Sequence, residues 1–295
     1  MKTSDAEPPF WYRDRDLFRA AVSFTATRTG FAELLIEKDA LCTLLLEQLA
    51  GVDSLVFKGG TCLAKVHTSF YRLSEDLDFV IPMPTDATRR QRSGRTAELK
   101  DAVAALPEQL PMLRLFEPLR GASDSRQYLA TVVYASAVSG IEETIKLEIG
   151  LREPMLEASV SADAATVLRH PATDAPMLAP VRLACMSLRE TLAEKARAAL
   201  TRREPAIRDF FDLDYAVRVL KADLTEPALV SLTRAKLAVP GNGPIDLSSG
   251  RIADLRSQLD ARLRPVLRPA YFAAFDLERA FTIVSDMAAK VSAER

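Results

Sequence analysis

Histidine and cysteine are scarce in this chain. Two histidines, His67 and His170, among 295 residues leave a histidine-based zinc site or a Ser-His-Asp triad poorly supported. Three cysteines, Cys42, Cys62 and Cys185, form an odd number with no metal-ligand spacing. Their apolar helical contexts read as buried, reduced thiols, which fits the cytosol. No apolar run is long enough to span a bilayer, and the stretch Met1–Pro9 lacks an apolar signal core. The expected location is therefore cytoplasmic, with no membrane partner. An excess of either charge is also missing: 39 basic against 40 acidic residues give a net charge of −1. A basic footprint for nucleic acid is absent globally and is left to local clusters. No internal repeat or low-complexity tract appears. What remains is a chain 48% hydrophobic, with enough length for one large domain or two of ordinary size and a sizeable core.

The most informative stretch is residues 57–79. An apolar run, Ser54-Leu55-Val56-Phe57, enters Lys58-Gly59-Gly60-Thr61. A helix-length segment follows, and a second apolar run begins at Asp76-Leu77-Asp78. Residues two apart on a strand share a face, so Asp76 and Asp78 aim two carboxylates at one point. Two like charges that close are costly unless a cation sits between them. Hard oxygen donors suit Mg²⁺, which is commonly held by one or two carboxylates plus substrate phosphates. Glycines let backbone approach a phosphate, and N–H groups opening a helix attract anions. Thr61 either caps that helix or offers its hydroxyl to a phosphate. Asp-x-Asp alone is common at strand ends, and Gly-Gly alone is an ordinary turn. Together, in this order, they point to nucleotidyl transfer from an NTP.

Residues 1–13 read as a loose or docked leader, and 15–28 and 31–50 as helices. Residues 88–95 form a basic polar loop before a helix at about 96–105. Residues 128–136 and 143–150 make a β-hairpin, with Lys146 and Glu148 on one face and Ile145, Leu147 and Ile149 on the other. Residues 151–176 read as irregular, and everything later as helix. The change of character near 165 divides an α+β domain with a mixed sheet, 1–165, from a mostly helical domain, 166–295.

Glu148 is the candidate third carboxylate, with a surface pairing to Lys146 as the alternative. Lys195 lies beside the apolar stripe of its helix and is either surface or a point charge for a triphosphate. Asp209 and Asp212 share one side of a helix, where Arg203 or Arg208 is positioned to pair with them. The arginines at 89, 90, 92 and 95 are a solvated loop or an RNA-backbone contact. Arg262, Arg264 and Arg268 form a second basic group that extends that surface or meets a partner.

Six segments then resemble the AbiEii/AbiGii toxin family of nucleotidyltransferases across about residues 31–220. They are Ile36-Glu37-Lys38-Asp39; Phe57-Lys58-Gly59-Gly60-Thr61-Cys62-Leu63; Arg72-Leu73-Ser74-Glu75-Asp76-Leu77-Asp78-Phe79; Ile145-Lys146-Leu147-Glu148-Ile149; Glu194-Lys195-Ala196-Arg197-Ala198; and Arg208-Asp209-Phe210-Phe211-Asp212-Leu213. The resemblance implies a polymerase-β-like nucleotidyltransferase domain followed by a helical domain that completes an active-site cleft. It implies nucleotide binding by Lys58, Gly59, Gly60, Thr61 and Lys195, and metal binding by Asp76, Asp78 and Glu148. Lys195 and Asp212 correspond to the essential pair of the helical half. Ser74, beside the acidic pair, is a turn residue or a hydroxyl whose modification blocks the nucleotide site. The implied activity is that of a toxin–antitoxin or phage-defence toxin. It carries a nucleotide from an NTP to RNA, with the tRNA acceptor end as the implied target and translation as the process blocked, and a cognate antitoxin is its partner. A protein or small-molecule acceptor, or an inactive NTP- or RNA-binding regulator, remains open at this point. Residues 221–295 resemble nothing identifiable.

Overall fold

The computed structural model describes residues 13–293. The leader expected over 1–13 lies outside them except for Arg13. The chain divides into two compact units. The first runs to Met155 and resumes over Ser159–Met186; the second holds Leu156–Ala158 and the described residues from Ser187 onward.

The first unit is built on a seven-stranded mixed sheet. Its strands are β1 (Val56–Lys58), β2 (Leu77–Val80), β3 (Leu113–Ala122), β4 (Gln127–Ala135), β5 (Glu142–Gly150), β6 (Val160–Ala164) and β7 (Val181–Cys185), in the spatial order β3-β4-β5-β2-β1-β7-β6. β2 runs parallel to β5 and antiparallel to β1, and β1 runs parallel to β7. Burial alternates over residues 77–79 on β2 and along β5. Leu77, Phe79, Ile145, Leu147 and Ile149 are at most 1% exposed, while Asp78, Lys146 and Glu148 occupy the intervening positions. Period-two burial of this kind gives one core face and one open face.

Helices α1 (Arg15–Thr29) and α2 (Glu33–Leu49) belong to this unit. The Asp14 side chain caps α1 by accepting from the Leu17 N–H, and Gly30 closes it in a left-handed conformation at φ 76°. α2 packs on α1 and β7 and is buried almost all round, including Glu37, Lys38 and Asp39. Each of these charged side chains ties a different element. Glu37 accepts from the Ala137 N–H at 2.7 Å and from the Ser136 hydroxyl. Lys38 pairs with Glu75 at 3.2 Å and Glu143 at 3.5 Å. Asp39 pairs with buried Lys65 at 2.6 Å. This segment of the family resemblance is thus a set of internal anchors.

Several sequence expectations change here. Arg89–Arg95 is a helix, α3, opened by a capping box between Thr88 and Gln91. The next helix, α4, spans Ala97–Gln109. Arg92 is buried and donates to the Asp124 carboxylate at 2.9 Å and to the Ala87 carbonyl, so it is a structural residue rather than an RNA contact. Arg89, Arg90 and Arg95 are exposed. β3, β6 and β7 all lie where no strand was expected. β6 and β7 pair antiparallel over Val160–Ala164 and Val181–Cys185, which keeps the sheet going past residue 165.

The second unit is helical: α5 (Leu188–Thr201), α6 (Ile207–Arg218), α7 (Pro227–Ala238), α8 (Ser249–Ser257), α9 (Pro269–Ala274) and α10 (Leu277–Ser292). α5 packs on α6 and α7, and α10 lies against all three. Leu156–Ala158 joins this unit because the buried Glu190 carboxylate accepts from the Leu156 and Glu157 N–H groups, the latter at 2.8 Å. Lys236, buried in α7, completes that knot at 2.7 Å from Glu190.

Candidate active site

The turn after β1 is tighter than a simple loop into a long helix. Gly59–Cys62 forms one short α-helical turn, continued by a π-helical turn over Leu63–His67. Ser69 and Phe70 then take left-handed φ values of 49° and 61°. They reverse the chain, so only the first part of the expected helix is helical. Lys65 anchors the π turn through Asp39 and Thr43, and π turns of this kind recur at functional sites. Gly59 sits at φ 77°, a conformation that disfavours any side chain.

The register brings the sequence-derived residues into one row. Lys58 on β1 is the partner of Asp78 on β2. Asp78 is the partner of Glu148 on β5, and Glu148 that of Leu129 on β4. Neighbouring strands are about 4.8 Å apart, so the basic group and the two carboxylates stand on adjacent strands. Asp76 and Asp78 flank buried Leu77, and both are half-buried. Asp76 accepts a long hydrogen bond from the Lys146 N–H at 3.4 Å. Its main-chain carbonyl accepts from the Thr61 hydroxyl. That hydroxyl therefore ties the glycine turn to the acidic strand, a use distinct from both roles considered for it in the sequence. Glu148 is exposed, and Gln127 donates to its carboxylate at 2.7 Å. Ser74 is half-buried, two residues before Asp76.

The donor set fits a hard divalent cation. Asp76 directly precedes β2 and Asp78 lies on it, and the Asp78 carboxylate fills the space a Cβ on Gly59 would take, 2.2 Å from its Oδ2. Among the described residues no three His, Cys, Asp or Glu side chains already converge as a ligand cluster. Glu148 therefore stands on the neighbouring strand without closing into one cluster with Asp76 and Asp78.

Lys195 and Asp212 belong to the helical unit, where they meet. Lys195 lies 2.8 Å from Asp212 and 2.8 Å from Asp209. Arg202, the residue that caps the end of α5, completes the cluster 3.1 Å from Asp209; it is the observed arginine partner, instead of Arg203 or Arg208. Burial opposes the ionisation of Asp209, but Lys195 and then Arg202 outweigh it, so its pKa lies below the usual carboxylate value. Asp214, in the same helix, is fully buried and was not singled out from the sequence. It is held by Arg218 at 2.8 Å and Arg279 at 2.7 Å. The Asp214-x-x-x-Arg218 spacing on one helix was the one available signal.

The three cysteines are buried and free. Among the described residues no helix is long and apolar enough to cross a membrane.

A family model described as "Nucleotidyl transferase AbiEii toxin, Type IV TA system" matches residues 40–282. The match runs well beyond the last of the six sequence segments and takes in α7, α8, α9 and part of α10. Two crystal structures of Helicobacter pylori proteins share the fold. JHP933 is 18% identical, with a TM-score of 0.53, over 90% of this chain and 94% of its own. A protein designated a nucleotidyltransferase is 19% identical, with a TM-score of 0.51, over 90% of this chain and 97% of its own. No curated protein matches the chain.

Proposed function

The chain belongs to the AbiEii nucleotidyltransferase toxin family of type IV toxin–antitoxin systems, and from that premise we propose that it transfers a nucleotide from an NTP to RNA, at the tRNA acceptor end, and so blocks translation. The observation that carries the reading is the row Lys58, Asp78, Glu148 on three adjacent strands, with the Gly59-Gly60 turn beside it. A cation, a tight backbone turn and carboxylates in one place are what phosphoryl transfer requires.

Asp76 and Asp78 would hold Mg²⁺, with Glu148 as the third acidic group, and the ion would supply activation of the attacking hydroxyl and charge neutralisation at the α-phosphate and at the pyrophosphate that leaves. Lys58 neutralises triphosphate charge, and Gly59, Gly60 and Thr61 form the backbone surface that receives the phosphates. Glu148, exposed and oriented by Gln127, faces the incoming acceptor and accepts its hydroxyl proton. Lys195 and Asp212 are the essential pair of the helical unit by the family resemblance alone, and Asp212 fixes the Lys195 ammonium through their 2.8 Å contact. A cognate antitoxin restrains the activity in the cytoplasm, and phage defence is the setting that suits such a pair.

The test is incubation with each of the four α-labelled NTPs, with total tRNA or with lysate protein, in Mg²⁺ or in chelator. Label in the tRNA fraction, dependent on Mg²⁺ and absent from Asp76→Ala, is the expected result. Label confined to the protein fraction would sink the tRNA reading while leaving nucleotidyl transfer intact.

A further inference from the structure

The two glycines of the turn are filled from one segment by side chains of opposite charge. Gly59 is filled by the Asp78 carboxylate. Gly60 is filled by the Arg72 guanidinium: a Cβ there would lie 2.5 Å from Nη2 and 3.3 Å from Cζ and Nη1. Arg72 is 2% exposed. Its Nη1 donates to the Leu73 carbonyl at 3.2 Å, and the guanidinium lies 5.6 Å from the Tyr71 ring centroid. A guanidinium stays charged at any attainable pH and is costly to bury, so its location is informative. This one lies against the turn and only four residues before Asp76.

We propose that Arg72 is a positioning residue for nucleotidyl transfer, setting the Nη edge of its guanidinium against Gly60 to hold the nucleotide turn in register with the acidic strand. The inference rests on the nucleotide reading given above. Three contacts join the same two segments: Gly60 to Arg72, Gly59 to Asp78, and Thr61 to the Asp76 carbonyl. The turn and the carboxylates are thereby set by one another. Arg72 also keeps a permanent positive charge beneath the backbone assigned to the triphosphate, where low dielectric strengthens its field. Glycine at residue 60 is thus needed for the arginine as well as for a phosphate. The fork is the specific requirement, since a lysine ammonium is a point charge without a rigid two-nitrogen edge to set against the glycine while also reaching the Leu73 carbonyl.

The experiment measures NTP affinity by titration calorimetry in Mg²⁺, together with KM and kcat. It uses the wild type, Arg72→Gln, Arg72→Lys, Arg72→Ala, Gly60→Ala and the Gly60→Ala/Arg72→Ala double variant. Arg72→Gln is expected to raise the NTP Kd and KM by about tenfold or more, with a smaller change in kcat. Arg72→Lys should recover part of that loss through its charge. Gly60→Ala should bind poorly, yet add little to Arg72→Ala, because the methyl group no longer meets a guanidinium. Additive losses from Gly60→Ala and Arg72→Ala would overturn the proposal. So would an Arg72→Lys protein with lowered Tm but wild-type Kd and KM, which marks a purely structural arginine and decides the matter even if Arg72→Gln does not fold. A wild type that binds none of the four NTPs would overturn the nucleotide reading itself, and does so before any variant is made.

Discussion

The acidic residues of the sheet unit and those of the helical unit are built on opposite plans. Asp76 and Asp78 are half-buried at the start of one strand, and Glu148 is exposed on the next. Asp209, Asp212 and Asp214 are each at most 4% exposed, and each is held by basic side chains of its own unit. A carboxylate left near solvent in a tight group is costly to hold without an external cation. A carboxylate buried among its own cations is already satisfied and stabilises the fold. The contrast is one of exposure: the first group lies near solvent on the sheet, and the second is buried among cations of its own unit. Lys195 stands across the division, because it is the family's functional lysine by resemblance and also the internal partner of two aspartates.

Removing the acidic pair of the sheet should give the largest effect on activity and almost none on stability. Asp78→Ala is expected to lower labelled-nucleotide transfer by on the order of 10³-fold or more, with Tm within a few degrees of the wild type. A large loss of stability instead would show that Asp78 is an internal partner like those of α6, and would erase the contrast. The opposite result is expected for Asp214→Ala. It leaves Arg218 and Arg279 without the buried carboxylate they share, which should cost about 3 kcal/mol in urea unfolding. That is the lower end of the range for a broken buried pair, because both arginines can still reach water. Activity per folded molecule should be unchanged.

Much of the sheet-unit site was legible in the sequence, because its parts are local. The strand, turn and acidic strand lie within residues 54–81, and β5 alternates cleanly at Lys146 and Glu148. The rest depended on contacts that sequence order does not encode. β3 carries Pro118 and two shifts of register in its pairing with β4, so it shows no clean alternation. β6 and β7 are five residues each, too short for periodicity to separate from loop. The Arg89–Arg95 helix did announce itself through the Thr88-x-x-Gln91 capping box, but its arginine content read as solvated loop. Arg92 and Arg72 show why composition misleads: each is a buried arginine whose partners are distant carbonyls, carboxylates or a glycine.

A smaller effect should come from the turn that joins the two carboxylates to Lys58. Gly59→Ala must hold φ 77° and bring a methyl to 2.2 Å from the Asp78 carboxylate. The left-handed backbone alone should cost about 1–2 kcal/mol. Displacement of Asp78 should add a loss of transfer of about tenfold to a hundredfold. If Gly59→Ala lost stability alone, the carboxylate position would be less constrained than the three-contact arrangement requires.

The smallest expected effect tests the helical cluster through pH. Asp209 has a lowered pKa because Lys195 and Arg202 together outweigh the burial that would otherwise raise it. A group whose folded pKa is depressed contributes stability above its unfolded value of about 3.9, and that contribution fades as pH falls through the folded value. Protonation in acid therefore removes the support that Asp209 gives to Lys195. Urea unfolding between about pH 2 and pH 6 should show stability falling with acid in the wild type. Asp209→Asn should be less stable at neutral pH and should follow a shallower pH slope, since its amide cannot titrate. Lys195→Met should also flatten that slope, because it removes the nearer of the two cations that hold Asp209 ionised. If neither substitution altered the slope while Asp214→Ala still lost stability, the ionisation of Asp209 would not be what stabilises this cluster. Lys195 would then be set apart from the ion pairs that stabilise the helical unit.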